Sequence, residues 1–117
     1  MSAANVVVSE LTEVEPDTVT ALARLIPQLS TSAPPLTAEA VDEMVRSDAS
    51  RVLVARGDGG EILGSLTLVI FRIPTGVRAW IEDVVVDEAA RGLGVGEALN
   101  RHALELAHAA GARSVDL

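Results

Sequence analysis

Apolar residues in this chain follow two rhythms, and the switches between them mark out the elements. Val6, Val7 and Val8 form a short apolar run that predicts a first strand over residues 5–11. From Glu13 to Ile26 the apolar positions Val14, Val19, Leu22, Leu25 and Ile26 recur at roughly helical spacing. Pro16 and Asp17 suit the first turn of that helix, and Pro27 is expected to end it. Residues 28–35 are rich in Ser, Thr and Pro and read as a loop. Thr37 is the expected N-cap of a second helix, with Glu39, Asp42 and Glu43 towards its positive end and Val41, Met44 and Val45 on its buried side.

Residues 51–56 then read as a strand, with Gly57-Asp58-Gly59-Gly60 supplying a hairpin turn. A longer strand over 61–72 returns to Pro74-Thr75-Gly76, and a third strand occupies 78–86. Gly92 to Gly96 lead into a helix that runs to about Ala110 and buries Val95, Leu99, Ala103 and Leu106. Gly111 caps it, and residues 113–117 begin another strand. The predicted order is β-α-α-β-β-β-α-β. It describes a mixed α/β (α+β) domain: a mainly antiparallel sheet flanked by helices, in which the last strand lies parallel to the one before the crossover helix.

Composition narrows the picture. The chain has 117 residues, enough for one domain, and 49% are apolar, so a core can form. With one Trp, one Phe and no Tyr, that core must be built from Val, Leu, Ile and Ala. The absence of cysteine removes disulfides and thiolate metal sites. His102 and His108 are six apart in a helical stretch and do not share a face, which argues against zinc and makes them surface or interface residues. The net charge is −8 and every basic residue is Arg, a poor match to a nucleic-acid partner. No apolar run approaches the roughly 18 residues of a membrane span, and the N-terminus has neither the basic start nor the apolar stretch of a signal peptide. A cytoplasmic domain without membrane contact is expected.

The chemistry concentrates between Trp80 and Glu97. A valine-rich strand ends at Val84-Val85-Val86, a short spacer follows, and Arg91-Gly92-Leu93-Gly94-Val95-Gly96 opens a helix. Backbone N–H groups in such a loop stand clear of side chains, and the helix start adds its positive dipole end. Together they suit a pyrophosphate, with Arg91 adding a permanent charge. The glycines alone would equally serve a tight strand-to-helix turn. A Walker A loop is excluded because the chain contains no lysine, and the G-x-G-x-G spacing is not the dinucleotide fingerprint. Just upstream, Glu82 and Asp83 are adjacent carboxylates that strand alternation places on opposite faces. Either both are solvated or one does work. Trp80 is expected to pack beside the sheet or, less simply, to line a pocket.

The pattern R-x-x-G-x-G/A after a valine-rich strand resembles the acyl-CoA signature of the GNAT superfamily of N-acetyltransferases, and Arg91, Gly94 and Gly96 match it. The order of elements over residues 5–117 is similar too. The resemblance implies that acetyl-CoA binds to the backbone of Val84, Val85 and Val86 and to the loop of Arg91, Gly92, Leu93, Gly94, Val95, Gly96 and Glu97. It implies an acetyl transfer to a small primary amine by direct attack, with Glu82 and Asp83 as catalytic candidates and Glu82 the proton acceptor. The loop before Thr37 is expected to help shape the amine pocket. The family pattern continues with a helix, two more strands and a proton-donating Tyr, so the domain is expected to be truncated after its fifth strand. That strand would leave an open edge, through which a homodimer could form by strand addition. The alternative reading is a non-catalytic acyl-CoA-binding or dimerising module with the same fold.

Overall fold

A computed structural model describes residues 5–117. The elements follow the expected order: β1 (Val7–Glu10), α1 (Pro16–Leu29), α2 (Ala38–Arg46), β2 (Ser50–Arg56), β3 (Ile62–Ile73), β4 (Gly76–Val86), α3 (Val95–Ala109) and β5 (Ala112–Asp116). The five strands form one sheet in the order β1-β2-β3-β4-β5. The first four are antiparallel to their neighbours, and β5 runs parallel to β4 after the α3 crossover.

Alternation along β2 decides which helix covers which face. Leu53 and Ala55 join Leu66, Leu68, Ala79 and Ile81 against Val95, Leu99, Ala103 and Ala107 of α3. Val54 points the other way, into a cluster with Ala21 and Leu25 of α1, Ile62 and Val85. The sheet is therefore sandwiched, with α3 on one side and α1 and α2 on the other. A carboxylate–guanidinium pair closes the β1 edge: Arg51 Nη2 donates to Glu10 Oε1 at 2.7 Å and Nε to Oε2 at 3.0 Å. Hydrogen bonding to Glu10 holds the Arg51 pKa above its ordinary value, against the opposing effect of burial.

Three details depart from the sequence reading. Pro27 does not end α1, which continues to Leu29 and closes with the Ser30 N–H donating to the Ile26 carbonyl at 2.9 Å. A proline removes one helical donor without ending the helix here, and the last turn is anchored by Gln28, whose Oε1 accepts from the Glu88 N–H. On α3 the fourth fully buried position is Ala107, while Leu106 is only partly covered. Helical spacing allowed either, and the smaller side chain sits where the helix approaches the sheet. Trp80 is 40% exposed on the α1/α2 face, outside both core clusters. By contrast the predicted caps hold: the Thr37 hydroxyl accepts from the Ala40 N–H at 3.1 Å, and Gly111 has φ 87°.

Candidate functional site

The site is organised by an irregularity in β4. Along β3 and β4 the register runs Thr67↔Glu82 and then Ser65↔Val85, so one extra residue is accommodated on β4. Such a bulge bends its strand and re-aims the side chains. Asp83 absorbs the distortion with φ 48°, a left-handed conformation that Asp tolerates better than most residues. Glu82 lies across from Thr67, and Asp83 lines a cavity with Ser65 and Thr67. Both carboxylates therefore belong to the α1/α2 face, and the expectation that they occupy opposite faces is corrected. Simple alternation fails because the extra residue shifts the pleat by one position.

That cavity has a volume of about 200 Å³ and lies between α1, the loop before α2, and the sheet. Ala33, Pro34 and Leu36 of the loop form part of its wall. A wider, open groove of about 370 Å³ runs along the first half of α1, but no residue from Trp80 to Glu97 reaches it.

Beyond the bulge, β4 carries Val84, Val85 and Val86. Val85 is buried against α1, and Val84 and Val86 pack towards α3. Their side chains serve the core, so any ligand there meets backbone. β5 is in register only with Val77 to Trp80, so among the described residues no strand pairs with 81–86 on that side.

The chain then passes through a short 3-10 turn, Glu88–Ala90, into α3. Two residues of α1, four apart and so on one face, grip this spacer. Arg24 lies 3.3 Å from the Asp87 carboxylate and donates to the Ile62 carbonyl at 2.9 Å. Gln28 Oε1 accepts from the Glu88 N–H at 2.9 Å. Asp87 also accepts from the Ala89 N–H and donates its own N–H to Leu63 O. Neither Arg24 nor Gln28 was singled out from the sequence, since nothing local marks a contact across 60 residues.

In the loop itself Gly92 and Gly94 adopt φ 86° and 80°, with Gly94 capping α3. Among the described residues, no acceptor within the protein meets the N–H groups of Gly92, Gly94, Val95, Gly96 and Glu97. Five donors at a helix start, two of them on left-handed residues, make an anion-binding concavity. Gly96 is informative because its φ is not in the left-handed region and a Cβ there would meet only Val86 Cγ2 at 3.5 Å. Neither backbone nor packing requires glycine at that position. Arg91 is exposed and has no ion-pair partner among the described residues. The Glu97 carboxylate is drawn to Arg101 at 3.0 Å, so only its backbone faces the concavity. Leu93 and Val95 likewise send their side chains to the core.

The acetyltransferase (GNAT) family profile matches residues 18–117. No match is found among curated proteins. Solved structures with the same fold include an acetyltransferase from Trypanosoma brucei, 29% identical with a TM-score of 0.77, covering 94% of this chain and 80% of that one. A transcriptional regulator from Bacillus halodurans is 30% identical with a TM-score of 0.73, covering 96% and 80%. An aminoglycoside acetyltransferase from an uncultured soil sample, solved with sisomicin, is 19% identical with a TM-score of 0.81, covering 97% and 76%, and shares the fold.

Proposed function

Because the chain belongs to the acetyltransferase (GNAT) family, we propose that it is an N-acetyltransferase that moves an acetyl group from acetyl-CoA to a primary amine. The observation that carries this reading is the pairing of two features on one strand. The unpaired amides of Gly92 and of Gly94 to Glu97 lie just past its end, and its bulge brings Asp83 into the lining of a cavity with Glu82 on the same face of the sheet.

In this reading Arg91 and the five free amides hold the pyrophosphate of acetyl-CoA, and the backbone of Val84 to Val86 pairs with the pantetheine arm. The donor supplies the acetyl thioester. An alkylamine is an ammonium ion near neutral pH, so it must lose a proton before it can attack. Asp83 attracts the ammonium into the cavity, and Glu82 accepts the proton, directly or through water. The amine nitrogen then bonds to the carbonyl carbon, the C–S bond breaks, and the second proton that the nitrogen loses on becoming an amide ends on the departing thiolate. A backbone N–H near Val84 or Val85 stabilises the developing oxyanion. Holding both partners in one cleft supplies a large part of the acceleration. No covalent enzyme intermediate is needed.

The test is the rate of thiol release from acetyl-CoA in the presence of a primary amine, measured for the protein and for Glu82→Gln. Turnover should fall by roughly 10²-fold or more, the usual scale for loss of a general base, with acetyl-CoA affinity unchanged. Equal turnover in the variant would remove Glu82 from the chemistry. A chain that binds acetyl-CoA and releases no thiol with any amine would favour a binding module instead.

A further inference from the structure

We infer that the amine accepted at this site is a small monoamine carried on an apolar body and lacking any acidic group. This rests on the acetyl-transfer reading and goes beyond it by naming the substrate class.

The chemistry of the cavity makes the selection. Its wall is formed by Leu22, Ile26, Ala33, Pro34, Leu36 and Met44. Its polar floor is limited to Ser65, Thr67 and Asp83. Among the described residues Asp83 is thus the only charged one lining it, and no basic residue does. With the first ammonium held at the carboxylates, a second, as in a polyamine or an aminoglycoside, would face the apolar wall, where no carboxylate stands, and burying an unpaired charge is costly. A sugar would bring several hydroxyl groups to two hydroxyl partners, and each buried hydroxyl left unpaired weakens binding. A carboxylate or phosphate on the acceptor would meet Asp83 and no cation at all, which excludes amino acids and amino-sugar phosphates.

Size points the same way. About 200 Å³ falls below the roughly 300–1,000 Å³ of sites that enclose drug-sized ligands. A peptide terminus needs an open groove, whereas a short aliphatic or single-ring amine fits. Met44 adds a wall that adapts to varied apolar shapes. Trp80 stands two positions before Glu82 on the same face of β4, with 40% of its surface open. An aromatic face beside two carboxylates suits an approaching ammonium.

The test is calorimetric titration of the full chain, with and without saturating coenzyme A, using 2-phenylethylamine, isopentylamine, spermidine and glucosamine 6-phosphate as probes. The two apolar amines should bind at least tenfold more tightly than the other two. Leu36→Asp, a change in a loop that leaves the core untouched, should weaken 2-phenylethylamine and narrow or reverse its advantage over spermidine. Equal or tighter binding of spermidine or glucosamine 6-phosphate would overturn the inference, as would absence of 2-phenylethylamine binding to the folded protein. Failure of acetyl-CoA to bind would instead strike the acetyl-transfer reading. The ranking of amines without nucleotide would still decide the present one.

Discussion

At the residue scale the most telling positions are those where the protein's own packing does not explain the amino acid. Gly96 is one. A methyl group there makes ordinary contact with Val86, and Ala is the better helix former by up to about 1 kcal/mol in a helix interior. Gly96→Ala should therefore keep or slightly raise the urea midpoint while weakening acetyl-CoA binding at least tenfold. A variant that binds normally would return this glycine to the role of a neutral helix residue. Asp83 is another, since it combines a strained backbone with a place in the cavity. Asp83→Asn keeps the tolerance for positive φ and removes the charge. It should raise KM for the amine by about tenfold or more, affect kcat less, and leave stability within about 0.5 kcal/mol. Asp83→Val should instead lose roughly 1–3 kcal/mol, because a β-branched residue resists that conformation. A Val variant as stable as the Asn variant would mean the bulge relaxes.

At the scale of elements, the positions of helices and strands were largely legible because each has the period of its type. The contacts between them were not. The bulge at Asp83 is the clearest case. Period-two reasoning placed Glu82 and Asp83 on opposite faces, and the only local warning was an Asp in a run of β formers. Gly64 is a lone glycine inside a strand, which often marks close approach of another backbone. A Cβ there would lie 2.9 Å from both the Val85 carbonyl oxygen and Val95 Cγ1. This is where the start of α3 rests on the sheet, and so it fixes the height of the amide-lined loop above β4. Gly64→Ala should cost roughly 1–3 kcal/mol in chemical denaturation, the usual scale of overpacking. No loss of stability would mean that α3 can lift without penalty. The grip of Arg24 and Gln28 on the spacer was invisible in principle, because it joins parts of the chain that only the fold brings together.

At the scale of the whole molecule, the sheet divides two tasks. One face and α3 build a core whose end presents bare amides. The other face, with α1 and α2, encloses a cavity next to two carboxylates. β4 runs through both regions, and α1 touches both, lining the cavity through Leu22 and Ile26 and holding the loop through Arg24 and Gln28. The glycine loop with its bare amides was legible from its letters, because left-handed turns at a helix start call for glycine at fixed places. The cavity was not, because it is made of common apolar side chains from three separate elements. Among the described residues no helix is long and apolar enough to cross a membrane. With a net charge of −8, the molecule as a whole repels an anionic nucleotide. On the proposed reading, affinity for acetyl-CoA comes from the local cluster of donors and from Arg91 rather than from a general field. The most direct test is calorimetric titration of acetyl-CoA into the protein and into Arg91→Glu. The account predicts saturable one-to-one binding that weakens at least tenfold in the variant, about 1.4 kcal/mol, with the fold unchanged by circular dichroism. Equal affinity in the two folded proteins would contradict the placement of acetyl-CoA at this loop.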